Sequence, residues 1–372
     1  MRMKYTETVQ KCLAKRSRTC ANLFYATLGF CAFQVSISRA NISQIRDRYS
    51  PSDLEKYVLQ NSATLGLDTT PGNFSSGCDL WHLATRGPHA SKLSEEKLRD
   101  AVRELETYNS AISGFVLSGD NRIRIRKRDK KACQALRIHP AGLGGIFTSF
   151  QLSKGYHGFM EPLLPPLRHL KFCLERDSLM DLSYLVHDFE AMCLTLSPAS
   201  RVVFFDIGAS LNFHSEEGEQ PSMWLVNLYE RFGFHFDHIY AFEKQPTSSE
   251  DVYRDLQTDM MASYHWINLG VEANLSSKLN PLNIILNEFT PDDFVVVKLD
   301  IDDPSIELSL ANQLLRNERL HTLVDEFYFE HHVSLLELRD SGWGTNVNGS
   351  VGSSLKMFHE LRSEGISAHY WV

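Results

Sequence analysis

From residue 180 to the end, short apolar runs without helical period alternate with segments whose apolar positions recur every three or four residues. Val202 to Phe205, "HIYAFE" at His238 to Glu243, "WINLGV" from Trp266, "FVVVKLDI" from Phe294, "TLVDEFYF" from Thr322 and the closing "ISAHYWV" each read as a strand. Leu182, Leu185, Val186, Phe189 and Met192 predict an amphipathic helix, and others are predicted around Trp224 to Phe232 and Leu355 to Arg362. Buried strands alternating with helices imply an α/β fold, a mostly parallel sheet with helices on both faces. Ligands of such a sheet sit beyond the carboxyl ends of its strands, so the chemistry is expected in this half.

The first half is less regular. Arg39 to Gly72 reads as a stem with helical pieces, and Ser94 caps a helix in which Leu98, Val102 and Leu105 recur at helical spacing. "RIRIRKRDKK", Arg122 to Lys131, alternates like an exposed edge strand; a solvated, aggregation-resistant face is preferred there to a docking face for an acidic polymer. "AGLGG" from Ala141 and "EPLLPPLRH" from Glu161 mark loop-rich structure. The division is therefore a basic tail over 1–20, an apolar segment over 21–38, a stem and helical, loop-rich accessory region over 39–179, and an α/β domain over 180–372.

Basic residues before the apolar stretch from Leu23 to Val35 follow the plan of a secretory signal, cleaved near Ser38-Arg39-Ala40 or kept as a signal anchor. Either places the remainder in the secretory lumen, as a type II membrane or lumenal protein, with the membrane a partner if the segment stays. A mitochondrial or plastid presequence is the alternative. Asn41, Asn73, Asn274 and Asn348 begin glycosylation sequons. Beyond the apolar segment remain Cys78, Cys133, Cys173 and Cys193, enough for two disulfides in any of three pairings, or four free thiols. A net charge of -8 over 372 residues argues against nucleic acid as the main partner.

Asp206-Ile207-Gly208-Ala209-Ser210 ends the first strand of the α/β half in a turn of small residues that a nucleotide-like ligand can approach. The six residues from Gly208 keep only the first glycine of a dinucleotide fingerprint, which disfavours NAD. Glu243, at the end of the next strand, can accept hydrogen bonds from two ribose hydroxyls. These residues, with Lys298-Leu299-Asp300-Ile301-Asp302-Asp303, resemble class I S-adenosylmethionine (SAM)-dependent methyltransferases, and more narrowly the FkbM-type family, with its Asp-x-Gly-Ala turn, "afEP"-like second strand and later "K-h-D-h-E-G" segment.

The resemblance covers roughly the last half of the chain. It implies a Rossmann-like, seven-stranded sheet closed by an antiparallel strand, which "ISAHYWV" would supply, and SAM as cofactor, held by Asp206, Gly208, Ala209, Ser210 and Glu243. Asn212 replaces the second glycine of the turn, Asp302-Asp303 stands for Glu-Gly with Glu307 as a substitute acid, and Lys244-Gln245-Pro246 shifts a proline. Methyl transfer to a hydroxyl needs alignment and a base; Asp300, His331 and His332 are the candidates. Asp300, Asp302, Asp303, Glu326 and Glu330 could assemble an oxygen-rich Mg²⁺ or Ca²⁺ site, but no known His/Asp spacing marks one and no metal is assigned. The expected activity is O-methylation of a glycan or small metabolite in the secretory pathway; the alternative is an inactive methyltransferase fold serving as a membrane-tethered interaction module.

Overall fold

The computed structural model of the protein describes residues 49–69, 73–79, 95–115, 130–138, 147–152, 154–175, 180–211, 221–254 and 256–371. The apolar segment at 21–38, the Asn41 sequon, Arg122 to Asp129, "AGLGG" and Asn212 lie outside them. No helix among the described residues is long and apolar enough to cross a membrane.

A small antiparallel sheet joins β1 (Tyr49–Ser50), β2 (Thr148–Gln151) and β3 (His157–Met160). Ser52 caps helix α1 (Asp53–Gln60) by accepting the Glu55 N–H at 3.2 Å. Helix α2 (Glu95–Ser113) buries Val102 and Leu105 of the predicted stripe, together with Ala101, Tyr108 and Ile112. Helix α3 (Lys130–Ala135) takes Lys130 and Lys131 out of the expected edge strand. The cysteines pair as Cys78–Cys173 and Cys133–Cys193, closing separations of 95 and 60 residues, and the second bridge ties α3 to α4 (Phe189–Thr195). Reduction is expected to cost about 2–4 kcal/mol per bridge. Identical urea midpoints with and without reductant would show that the bridges do not form.

Helix α4 begins seven residues later than the pattern from Leu182 suggests. Leu182–Tyr184 form a single 3-10 turn capped by Asp181, and Asp188 then caps α4 through the Ala191 N–H at 3.0 Å. Between the two, the Val186 N–H donates to Glu161 Oε2 at 3.0 Å, so this backbone is held extended by a side chain from another segment.

The larger sheet contains β4 (Val202–Ile207), β5 (His238–Phe242), β6 (Tyr264–Ile267), β7 (Phe294–Leu299), β8 (Glu326–Phe329) and β9 (Ser367–Tyr370). Among the described residues it has six strands in the order β6-β5-β4-β7-β8-β9, all parallel. The flanking helices are α5 (Pro221–Arg231), α6 (Ser249–Arg254), α7 (Pro281–Glu288), α8 (Pro304–Arg316), α9 (Glu318–Leu323) and α10 (Val351–Ser363). The antiparallel closing strand expected of "ISAHYWV" is not found. Helix α10 returns the chain to the starting edge of the sheet, so β9 enters beside β8 in the same direction.

Residues on both sides of position 180 share one hydrophobic core, from Val58 to Trp371. A buried polar network crosses it. Glu161 Oε1 accepts from Arg362 Nη2 at 2.7 Å and from His369 Nδ1 at 2.9 Å, and His369 Nε2 donates to Glu326 Oε2 at 2.9 Å. Arg362 also donates to the Ala368 and Glu161 carbonyls and to the Tyr49 hydroxyl, which itself donates to Glu55. Burial alone would lower the His369 pKa, but the two carboxylates hold it up at about 9, so the ring is a buried cation at neutral pH.

Candidate functional site

The chain builds β4, then β5 and β6 to one side, and returns to place β7 on the other side of β4, so the topological switch point lies between β4 and β7. Lys298 stands directly opposite Asp206 in the β4–β7 register. Its Nζ donates to Asp206 Oδ1 at 3.0 Å and to the Gly208 carbonyl at 2.8 Å, and it lies 3.3 Å from Asp300 Oδ2. Burial would depress this ammonium, yet Asp206 and Asp300 raise its pKa instead.

Asp206 is fully buried under this pairing, and Ala209 is fully buried too. Neither the Asp206 carboxylate nor the Ala209 methyl is exposed, and the carboxylate is engaged by Lys298. Gly208 has φ +94°, and a Cβ there would lie 1.5 Å from the Asp300 carbonyl oxygen. Its missing side chain thus lets the two strand ends touch, a close approach of protein to protein rather than of protein to ligand.

Ser210, by contrast, is exposed, and its N–H donates to Glu243 Oε2 at 3.0 Å. Glu243 Oε1 accepts the Gln245 N–H, and Asn268 binds the Glu243 carbonyl at 2.8 Å. The half-buried Glu243 carboxylate therefore joins the ends of β4 and β5.

Asp300, 23% exposed at its side chain, sits past the end of β7. Burial and the Glu330 carboxylate raise its pKa against the pull of Lys298. Asp303 caps α8, accepting from the Ser305 and Ile306 N–H groups. Glu307, in the first turn of α8, is fully buried; burial raises its carboxyl to about 8.

The two candidate histidines separate. His331 Nε2 faces the Asn348 carbonyl at 3.0 Å, so that nitrogen carries the proton, and Nδ1 accepts from Ser354 at 2.9 Å. Burial lowers its pKa to about 4. Both nitrogens of His331 are thus engaged within the core. His332 Nε2 donates to Glu330 Oε2 at 2.9 Å and lies 3.9 Å from Asp302 Oδ1, while its ring stacks on Trp343.

Glu330 Oε1 accepts from Trp343 Nε1 at 2.9 Å and Arg168 Nη2 at 3.2 Å. Burial would raise Glu330, but His332 and Arg168 bring it below the usual carboxylate range. No family model matches the chain, and no curated protein or solved structure matches it either.

Arg168 and Trp343 are site neighbours that the sequence pattern does not single out. Arg168 lies in the irregular "EPLLPPLRH" loop, whereas Trp343 has no such signal; Leu167 in that loop has φ +56°, and the other non-glycine residues with left-handed backbone among the described ones are Ser210 and Asp302. All three belong to loops bearing the groups just described, where backbone strain collects at functional sites.

Proposed function

We propose that the chain is a SAM-dependent O-methyltransferase, with the donor against Ser210 and Glu243 at the ends of β4 and β5 and a hydroxyl of a glycan or small metabolite as acceptor. The observation that carries this reading is the Ser210 to Glu243 bond beside the β4–β7 switch point, because it aims an incompletely used carboxylate at the ligand position of an open parallel sheet. A carboxylate offers about four acceptor sites, and two backbone N–H groups occupy this one, leaving room for a ribose diol. Bound there, SAM would supply an electrophilic methyl group. Asp300 takes the acceptor's proton, Lys298 holds the Asp300 and Gly208 ends together, and His332 stays with Glu330. The two disulfides support an oxidising compartment and with it the secretory reading.

Calorimetric titration with SAM and S-adenosylhomocysteine tests the reading. Glu243→Gln should weaken SAM by about 10- to 150-fold, the loss of a hydrogen bond to a charged group. Asp300→Asn should reduce labelled methyl transfer to a glycan panel more than it reduces SAM affinity. Absence of SAM binding by folded protein would remove the enzyme reading. A second reading, a methyltransferase-like fold kept as an interaction module, is favoured by the sealing of Asp206 and Ala209 and would stand in that case.

A further inference from the structure

Glu307 Oε2 is buried without a hydrogen-bond partner among the described residues. Its Oε1 accepts the Ile301 N–H at 2.8 Å, which fixes the carboxyl against the backbone between Asp300 and Asp302, and the charged groups acting on it are His332, Asp300 and Glu330. A buried orphan oxygen in such a setting calls for an electrophilic partner. One oxygen each of Asp302 and Glu330 and a ring nitrogen of His332 lie within 4.8 Å of one another, and the buried His332 Nδ1 has no hydrogen-bond partner among the described residues. Ligands held about 2.0–2.2 Å from a shared ion stand roughly 3–4 Å apart, and the separations of 2.9 and 3.9 Å from His332 Nε2 fall close to that span.

We propose that Asp302, Glu330 and His332 form a binding site for a first-row divalent cation, Mn²⁺ or Zn²⁺. An imidazole among carboxylates favours these ions over the oxygen-seeking Mg²⁺ and Ca²⁺. Arg168 and Trp343 already hold Glu330 Oε1, so Oε2 turns to the ion once His332 Nε2 releases its proton to solvent. Asp302, 89% exposed at its side chain, is the entry side. The site stands whether or not the neighbouring crevice takes SAM.

The test is titration of chelator-stripped protein with MnCl₂ and ZnCl₂, with MgCl₂ and CaCl₂ for comparison. One saturable site is expected, with Mg²⁺ and Ca²⁺ weaker by at least about tenfold. Asp302→Gly suits the left-handed backbone there, φ +57°, and should weaken Mn²⁺ or Zn²⁺ at least about tenfold while the metal-free melting curve holds. His332→Gln should do the same. No saturable uptake, or uptake unchanged in Asp302→Gly, would overturn the proposal.

Discussion

Lys298→Met is expected to destabilise the protein by about 3–5 kcal/mol, because it removes one partner of a buried ion pair and leaves the other charged. The methionine stem preserves most of the packing, so the loss reports the ammonium. Asp206 is fully buried and, among the described residues, keeps no other cation in hydrogen-bond contact, and the Gly208 carbonyl loses its side-chain donor. Adding Asp206→Asn to Lys298→Met should recover part of the loss, since the stranded charge is gone. Urea unfolding with an unchanged slope is the measurement. A single-variant cost below about 1 kcal/mol, the value of a hydrated surface pair, would mean that water reaches the site.

Arg362→Met should cost a similar amount, about 3–5 kcal/mol. Arg362 is fully buried and donates to Glu161, Tyr49 and two backbone carbonyls. Without it Glu161 keeps, among the described residues, only the His369 cation, and both carbonyls lose their charged donor. Glu161→Gln in the same background should reduce the penalty, giving a coupling energy in a double-mutant cycle; simple additivity would show that the two side chains do not act as a pair.

The central strands were legible because their apolar runs are buried on both faces, as in Val202 to Phe205 and Phe294 to Val297. The start of α4 was not, because Leu185 and Val186 fit helical spacing while a distant carboxylate, Glu161, claims the Val186 N–H. The direction of β9 was also hidden: "ISAHYWV" is equally apolar either way, and only the preceding crossover helix decides it.

At the site, Glu243 and Asp300 stand where strand-end reasoning puts them. The sequence offered Asp206 as a ligand contact because an acid in a buried run looks functional; its partner Lys298, 92 residues away and opposite in register, explains the acid instead. Adjacent His331 and His332 looked equivalent, yet one faces the core and the other the Glu330 and Asp302 carboxylates.

The network around Arg362 also bears on how such a chain can be assembled or inherited. The acids that oppose this buried guanidinium, Glu161 and Glu55, both come from before residue 180, whereas Arg362 and His369 belong to the last helix and strand. The irregular first segment is thus an intramolecular counter-ion for the α/β half. Recombination that delivered residues 180–372 alone would bring a buried cation without its acids, so the two segments have to travel together.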